Sequence, residues 1–284
     1  MRAGIDLSAE TLIALRHAGQ GTATASRSSS RTGTLPGRKR GLGLDIHDLR
    51  HFVEGDDPRH LDAAATARSG QPHVRTFLEE EDRTTLLVAD FRGPMLWGSR
   101  GRLRSVAAAE ALALAGWGVI EAGGKVGALV LSDQGPTYIA PRPRAAAMLQ
   151  IAAALASAHA LALEAPRPEA PVMLDTALER VGRLLRPGAT LLLASGLDDP
   201  GDDLENVLGS LRRGVRLVLY AVRDALETAP PARHLPVADG AGLVRWAQFS
   251  SSAPEARALF ARAGAEIVDI AAADPDSSDQ ARPA

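Results

Sequence analysis

Histidines and aspartates at metal-ligand spacing are the first residues in the chain that could do chemistry. His47 and His51 stand four apart, with Asp45 and Asp48 beside them, and this spacing would place two metal ligands on one face of a helix. The Gly-Asp-Asp-Pro sequence that follows disfavours a long helix there. The seven histidines of the chain do not cluster in the sequence. The pattern therefore favours solvated histidines, and we predict no metal site from them.

Motifs for nucleophilic catalysis and phosphate binding are incomplete. The chain has no cysteine, which excludes thiol nucleophiles, disulfides and Cys-based zinc or iron–sulfur sites. The stretch GVIEAGGK (118–125) has one residue too many before Lys125 for a phosphate loop, and it is predicted to run from helix to strand, the reverse of what phosphate binding needs. Ser195 follows a predicted strand without the G-x-S-x-G of a nucleophile elbow. We predict neither a nucleotide site nor a serine nucleophile.

The net charge and the apolar runs of the chain indicate which partners and which compartment to expect. The net charge of -2 gives no sign of a nucleic-acid or membrane-surface partner, since such partners usually select a basic stripe. The N-terminus has no apolar stretch of signal-peptide length, and the apolar runs elsewhere are broken before the roughly 20 residues of a membrane span. The absence of cysteine also fits a reducing compartment. We therefore expect a cytoplasmic protein without a membrane span.

Apolar strands alternate with helical segments from residue 83 onward, and these elements must position any site. Strands are predicted at 84–90, 125–131, 137–140, 189–195, 215–222, 243–249 and 265–271, with helices at 102–121, 144–163, 174–185, from about 202, and at 253–264. Strands that are apolar throughout are typical of a parallel sheet covered on both faces. The sequence therefore predicts an α/β fold with a doubly wound, mostly parallel, Rossmann-like sheet. Function in such sheets lies beyond the carboxyl ends of the strands.

The N-terminal part of the chain differs in composition from the rest. We predict a helical segment at 1–18, a basic flexible linker at 19–41, a polar and irregular segment at 42–82, the α/β domain at 83–271 and a disordered tail at 272–284. Helix 8–17 is amphipathic, with Ser8 as its N-cap. The linker is rich in Ser, Thr, Gly and Arg and contains no acidic residue.

The segment 49–82 carries the most specific pattern in the sequence. It reads L-R-H-F-V-E-G-D-D-P-R-H-L-D, then T-A-R, then F-L-E-E-E-D-R, and runs into the first core strand. This pattern resembles the DUF58 family, whose members carry a von Willebrand factor A-like domain. The matching residues are Arg50, Gly55, Asp56, Asp57, Arg59, Asp62, Ala67, Arg68, Glu79, Glu80 and Arg83. The sequence departs from the family pattern at His51-Phe52 and at Ala63, which stands where the family usually has Trp. The lack of predicted membrane helices resembles the shorter, soluble members.

Two interpretations of this signature segment stay open from the sequence. In one, its acids and arginines pair with one another and brace a loop, as Arg–carboxylate forks do. In the other, the signature residues form a docking surface for a partner. That candidate surface comprises Arg50, Gly55, Asp56, Asp57, Arg59, Asp62 and Arg68.

The von Willebrand A resemblance implies a particular metal site. Such domains often bind Mg²⁺ through D-x-S-x-S after the first strand, a Thr in a later loop and an Asp after a later strand, because a hard cation prefers oxygen ligands. Asp90 takes the first position, but Arg92 and Pro94 stand at the two Ser positions. Pro94 offers no side-chain oxygen. Arg92 would bring a positive charge near the cation, and at about 5 Å two unit charges of like sign repel by roughly 3 kcal/mol at an effective dielectric of about 20.

The later positions of that site are also altered. Gly196 stands at the acidic position, although Asp198 and Asp199 follow closely and could partly substitute, and Thr176 is the candidate hydroxyl of the third loop. The resemblance therefore implies a degenerate metal-ion-dependent adhesion site that binds no metal or other cofactor. Asp90 is expected to pair with Arg92 or a neighbouring arginine instead.

The resemblance implies a non-catalytic protein-interaction module. DUF58 relatives are commonly encoded beside MoxR-type AAA+ ATPases, which implies an adaptor in chaperone-like assembly or maturation of other proteins. On that view the face formed by Asp90, Arg92, Gly196, Asp198 and Asp199 contacts the ATPase or its client. One alternative is a metal-dependent hydrolase that uses Asp90 with Asp198 and Asp199. Another is a structural subunit of a larger assembly.

Overall fold

The computed structural model describes residues 4–25, 40–53, 56–78, 84–166, 168, 170–238, 243–248 and 254–273. Its helices are α1 (Ala9–Ala25), α2 (Ala63–Ser69), α3 (Arg104–Glu121), α4 (Ala145–Glu164), α5 (Leu174–Gly182), α6 (Leu204–Leu211), α7 (Ala225–Thr228) and α8 (Glu255–Arg262). Its strands are β1 (Arg40–His51), β2 (His73–Leu78), β3 (Thr84–Asp90), β4 (Lys125–Leu131), β5 (Thr137–Pro143), β6 (Thr190–Ser195), β7 (Arg216–Arg223), β8 (Leu235–Ala238), β9 (Val244–Ala247) and β10 (Glu266–Ala271). The chain forms two compact units, residues 25–83 and the remainder.

The larger unit is built on a six-stranded sheet in the order β10-β7-β6-β3-β4-β5. Its strands run parallel except β5, which pairs antiparallel with β4 at one edge. The central strands β3, β4 and β6 are buried along almost their whole length, as expected where helices cover both faces of a sheet. The prediction of an α/β fold with a mostly parallel sheet is confirmed.

Helices cover both faces of this sheet. One core contains buried residues of α1, α3 and α4, and the other contains buried residues of α5, α6 and α8. The first core relies on small side chains, since α3 contributes the buried residues Ala107, Ala108, Ala109 and Ala113. Close packing of alanines brings the helix backbone near the sheet and allows little change in volume. This arrangement holds the carboxyl ends of β3 and β6 side by side, where the candidate site lies.

The structure corrects several details of the sequence prediction. Residues 19–25 continue α1, and residues 40–41 begin β1, so the predicted linker at 19–41 is partly helix and strand; its middle lies outside the described residues. The predicted strand at 243–249 does not join the main sheet, because β9 pairs with β8 in a separate hairpin. Ala272, the first residue of the predicted disordered tail, is fully buried. Residues 274–284 of that tail lie outside the described residues.

The smaller unit is more regular than the sequence suggested. The segment predicted to be irregular contains β1 and β2, which pair antiparallel, with α2 between them. Register shifts interrupt the pairing between Gly41 and Ile46 and between Ile46 and Asp48. These irregularities break the two-residue alternation that marks a strand in a sequence. His47 and His51 therefore lie on a strand and not on one face of a helix, the arrangement for which their spacing was considered.

Helix α4 meets the length and composition of a membrane span, contrary to the expectation from apolar runs. It has 20 residues and a mean hydropathy of 1.7, and a third of its apolar window is buried. Its buried residues, among them Met148, Ile151 and Leu155, pack in the core beside α3. A core helix of this kind passes the same test of length and composition as a membrane helix.

His159 of α4 is buried in the same core. Its Nε2 lies 2.9 Å from the hydroxyl of Ser105, and the ring of Phe91 packs edge-on against it with the centroids 5.2 Å apart. Burial penalises the charged imidazolium and lowers the pKa of His159 from 6.5 to about 4, with a smaller opposing effect from the charge of Asp6. The folded protein therefore keeps this histidine neutral at neutral pH.

We expect His159 to make the protein less stable as the pH falls from 6.5 to about 4. In that window the unfolded chain binds a proton that the folded chain excludes, so the free energy of unfolding falls by up to ~1.4 kcal/mol per pH unit. Urea unfolding of the wild type and of His159→Gln at several pH values measures this effect. The variant should show a shallower pH dependence, and equal slopes would contradict the assignment.

Candidate functional site

The candidate site lies at the carboxyl ends of β3 and β6 and centres on a buried ion pair. Asp90, the last residue of β3, and Arg92 are each 1% exposed. The Arg92 Nε and Nη2 donate to the two carboxylate oxygens of Asp90 at 2.9 and 2.8 Å, and the Arg92 amide donates to Oδ1 at 3.1 Å. This is the bidentate geometry in which Arg–carboxylate pairs are strongest. The expected pairing of Asp90 with Arg92 is present in the structure.

The rest of the Arg92 guanidinium is bonded to backbone carbonyls. Its Nη1 donates to Val172 O at 2.6 Å and, more weakly, to Asp199 O at 3.4 Å, while Nη2 also donates to Asp198 O at 2.9 Å. Burial alone would lower the pKa of Arg92, but the adjacent Asp90 carboxylate raises it above the ordinary value. The guanidinium therefore stays charged and joins three segments that are distant in sequence.

Ser195, at the end of β6, completes the environment of Asp90. Its buried hydroxyl donates to Asp90 Oδ2 at 2.7 Å and accepts from the Leu197 amide at 2.9 Å. From the sequence, Ser195 was predicted not to be a nucleophile and had no other predicted role. The hydroxyl links the two central strands and leaves both Asp90 oxygens with donors. It was missed because β3 and β6 become neighbours only in the folded sheet.

A second buried arginine, Arg104 at the start of α3, stands beside the first pair. It is 1% exposed, and its Nη2 donates to Asp198 Oδ2 at 2.5 Å. Its guanidinium also lies 3.6 Å from Glu227 and 5.5 Å from the ring centre of Trp97, a cation–π distance. The sequence offered no signal for this residue beyond its place in a predicted helix. Arg92 and Arg104 together put two cations under the loop that follows β6.

That loop, residues 196–199, has an unusual backbone. Leu197 and Asp199 have positive φ angles of 65° and 46°. Non-glycine residues rarely adopt this region, and such residues are held there by the surrounding structure. Here the restraints include the bonds from Arg92 to the carbonyls of Asp198 and Asp199 and the bond from Arg104 to the Asp198 carboxylate. The two arginines fix the shape of this loop.

The family resemblance placed Gly196 where a metal-binding domain would carry an acidic ligand. In the structure this glycine has a steric role. A Cβ at this position would lie 1.2 Å from Arg104 Nη2 and 2.6 Å from Asp198 Oδ2. Only glycine leaves room for the Arg104 guanidinium, which fills the space that a side chain at position 196 would need. Pro94, which lacks a side-chain oxygen, presents its carbonyl to Arg104 Nη1 at 3.3 Å.

Thr176, the candidate hydroxyl ligand, does not reach the Asp90 cluster. It is exposed, and its hydroxyl donates to its neighbour Asp175 at 3.1 Å. Asp175 was missed by the sequence analysis; it is buried and also accepts from the Asp203 amide at 3.1 Å. The structure thus brings together Asp90, Arg92, Gly196, Asp198 and the backbone of Asp199, and it places Thr176 on Asp175. Among the described residues, no three His, Cys, Asp or Glu side chains gather where they could hold a metal ion.

Asp224 anchors the next loop at the same edge of the sheet. It is fully buried, caps α7 through the Leu226 amide at 2.8 Å, and accepts from both the amide and the hydroxyl of Ser99. Glu227 completes a capping box by accepting from the Asp224 amide at 2.6 Å. The VRDALE sequence could have shown this cap, since Asp and Glu stand three residues apart at the helix start. Several loops at this edge are therefore held by buried carboxylates and arginines.

The signature segment forms its own set of contacts in the smaller unit. Arg50 donates to both oxygens of Asp56 at 2.6 and 2.5 Å, and the Val53 amide also donates to Asp56. These hydrogen bonds lower the pKa of the Asp56 carboxyl below its usual value. The Arg50–Asp56 pair is of the kind expected if the acids and arginines of the signature segment pair with one another and brace a loop.

The other acids of the signature segment cap helices. Asp57 accepts from the Arg59 amide at 2.9 Å and begins a short 3-10 helix, and Asp62 accepts from the Ala65 amide at 2.7 Å and begins α2. The side chains of Arg59 and Arg68 are exposed and could still meet a partner. Gly55, Glu79, Glu80 and Arg83 of the predicted signature lie outside the described residues.

Three curated relatives match the chain over 117 residues at 32% identity. They are uncharacterized proteins of Mycobacterium bovis and Mycobacterium tuberculosis. The match covers 39% of this chain and 36% of each relative, so the chain spans about a third of the length of the curated relatives it matches. A crystal structure of the conserved hypothetical protein BatB from Bacteroides thetaiotaomicron is distantly similar, with a TM-score of 0.46 and 12% identity over 69% of this chain and 94% of BatB.

A family model covers most of the chain. The model described as protein of unknown function DUF58 matches residues 48–267, which include the signature segment and every strand of the main sheet up to β10. The resemblance drawn from Arg50, Asp56 and the residues that follow is thereby confirmed at the level of the family. The chain belongs to the DUF58 family.

Proposed function

We propose that this chain is a non-catalytic protein-interaction module whose core is von Willebrand factor A-like and whose metal position is taken by Arg92. The observation that supports this most strongly is the Arg92 guanidinium, which is 1% exposed and bonded to both oxygens of Asp90. A cation at the carboxyl edge of a parallel sheet, held by the aspartate that ends a central strand, stands where such a domain would hold Mg²⁺. A tethered guanidinium supplies the charge without an exchangeable ion.

This arrangement disfavours catalysis at the same place. A metal-assisted hydrolase needs an open coordination position for water or substrate. The Asp90 oxygens are already bonded to Arg92 and Ser195, and Asp198 is bonded to Arg104. The charges therefore neutralise one another inside the protein. The two ion pairs, Asp90–Arg92 and Asp198–Arg104, support a rigid loop at the sheet edge that is suited to contact with another protein.

The proposed partner is a MoxR-type AAA+ ATPase, or the client that such an ATPase matures. The contact surface would be the loop 196–199, where Asp198 and Asp199 are half-buried and Arg92 and Arg104 hold the backbone in one conformation. A preformed loop loses little entropy on binding, which favours recognition. We expect a basic surface of the partner to bind the carboxylate of Asp199.

Co-purification with the MoxR-type ATPase in the presence of ATP tests this proposal. Asp199→Asn removes the charge and keeps a residue that tolerates positive φ, so we expect weaker capture with an unchanged melting temperature. Glu179→Gln, on the exposed face of α5, is the matched control and should bind like the wild type. No capture of the ATPase, or equal capture by Asp199→Asn, would count against the proposed surface.

Mg²⁺ should have no effect on the stability of the protein. A bound ion at about 100 times its Kd would add roughly 2.7 kcal/mol to the free energy of unfolding and raise the melting temperature. Because Arg92 occupies the position and repels a second cation, we expect the same melting temperature in EDTA and at millimolar Mg²⁺. Differential scanning calorimetry measures this directly. A clear upward shift with Mg²⁺ would show that Asp90 still binds metal.

A further inference from the structure

A small pocket opens at the carboxyl ends of β3 and β4. Its walls come from the segment that follows β3 (residues 91–96), from the loop that follows β4 (133–134) and from the end of α4 (162–166). The pocket has a volume of about 120 Å³, well below the roughly 300 Å³ at which sites for drug-sized ligands begin. A pocket of this size suits one side chain, and it is too small for a nucleotide or a similar cofactor.

The walls of this pocket are mainly apolar. Phe91 and Leu96 contribute from the segment after β3, and Leu163 and Pro166 contribute from the end of α4. An alkyl chain that enters the pocket leaves water for an apolar environment, which favours binding in proportion to the apolar area that is buried. The walls therefore suit the aliphatic part of a ligand and do not suit a hydrated ion on its own.

Asp133 is the one charged side chain among the described residues that line the pocket. Its Oδ2 accepts from the Gly93 amide at 2.8 Å, and the described part of the chain gives this carboxylate no cation as a partner. The loop that carries Asp133 is closed on itself, since the Ser132 hydroxyl donates to the Gly135 carbonyl at 2.8 Å and the Gly135 amide donates to the Ser132 carbonyl at 3.1 Å. The carboxylate is therefore held in place with its charge unbalanced.

The carboxyl end of α4 adds negative charge to the same pocket. The last carbonyls of a helix lack intrahelical donors and carry the negative end of the helix dipole, equivalent to roughly half an elementary charge. Helix α4 has 20 residues and no basic residue in its last turn, which contains the pocket residues Ala162 and Leu163. Glu164, exposed at the end of the same helix, has the same sign. The electrostatic potential of the pocket therefore favours a cation.

We propose that the pocket binds a lysine or arginine side chain of a partner protein, with the alkyl chain against Phe91 and Leu163 and the cationic end at Asp133. The apolar walls match the alkyl chain, and the carboxylate and the helix end match the cation. A bare metal ion would find only one carboxylate in the pocket, and a neutral apolar ligand would bury that carboxylate without a partner. The pocket shares no residue with the 196–199 loop, so this proposal goes beyond the function proposed above and does not depend on the ATPase.

Titration of the full chain with Nα-acetyl-lysine methylamide, followed by the amide NMR spectrum, tests the proposal. We expect a saturable shift of the Gly93 amide resonance, because this N–H donates to the carboxylate that the cation approaches. Nα-acetyl-norleucine methylamide has a similar alkyl chain without the charge. It should bind about ten-fold more weakly or worse, the factor expected from losing one hydrogen bond between charged groups. Equal binding of the two probes, or no shift with either, would overturn the proposal.

Variants of the pocket identify the group that binds the probe. Asp133→Asn removes the charge and keeps an oxygen that can accept from the Gly93 amide, so the variant should fold and bind the lysine probe about ten-fold more weakly or worse. Glu255→Gln, at an exposed carboxylate of α8, is the matched control and should bind like the wild type. Equal binding by Asp133→Asn and the wild type would contradict the proposed site. Binding that is seen only in Arg167→Ala would also overturn it, because the chain's own arginine would then be the occupant.

Discussion

Replacing Arg92 by Met is expected to lower the free energy of unfolding by about 3–5 kcal/mol. Methionine fills much of the same volume but leaves the Asp90 carboxylate buried with its opposite charge removed. The carbonyls of Val172 and Asp198 also lose their guanidinium donors. Breaking one side of a buried ion pair costs more than the pair itself contributes, because the remaining charge stays desolvated. Urea unfolding at neutral pH measures the loss.

Two further variants separate this charge effect from packing. Asp90→Asn combined with Arg92→Met removes both charges, and we expect it to recover part of the stability lost in Arg92→Met alone. Arg257→Ala removes the partly buried partner of the exposed Asp269 and should cost about 1 kcal/mol or less. A loss in Arg92→Met no larger than that in Arg257→Ala would mean that the Asp90 cluster does not hold the sheet edge together.

The fold was predictable where local pattern alone decides the structure. The strands β3, β4, β6 and β7 are short apolar runs rich in Val and Leu, a pattern typical of strands buried inside a layered sheet. The short β8 was missed because Pro236 lies within it, and proline in a strand is confined to edges. The strand β1 was missed because its irregular register interrupts the alternation. Both strands, β8 and β1, form because they pair with another strand in the folded protein, and a local sequence pattern does not show such pairing.

The candidate site was predictable only in part, for a related reason. Asp90 and Arg92 are two residues apart, so their pairing follows from the sequence and the end of the strand. The donors and acceptors that complete the cluster come from Ser195, Val172 and the 196–199 loop, at separations of 80 residues or more. Arg104 approaches from α3 and reaches Asp198 across 94 residues. Such contacts depend on strand order, which polarity and periodicity do not encode.

Replacing Gly196 by Ala is expected to destabilise the protein by about 3 kcal/mol, although it adds only one methyl group. The new Cβ would lie 1.2 Å from Arg104 Nη2, a distance that no packed structure contains. Arg104 cannot move aside into solvent because it is 1% exposed and enclosed by Trp97 and Glu227. The methyl must therefore displace the guanidinium from Asp198, which breaks the shorter of the two ion pairs of a buried cation. Thermal or urea unfolding measures the loss.

A double-mutant cycle identifies Arg104 as the cause. With Arg104→Ala in place the guanidinium is gone and the Asp198 side chain, released from it, can move away from the methyl. Adding Gly196→Ala should then cost less than about 1 kcal/mol, and the coupling between the two positions should be large. Gly118→Ala on α3 is the matched control, since nothing lies within 4 Å of its Cβ, and we expect it to stabilise the protein by about 0.5–1 kcal/mol through helix propensity. If Gly196→Ala costs the same with and without Arg104, the glycine serves the backbone and not the buried arginine. The expected coupling would establish that residue 196 must be glycine because the Arg104 guanidinium fills the space beside it at the edge of the sheet.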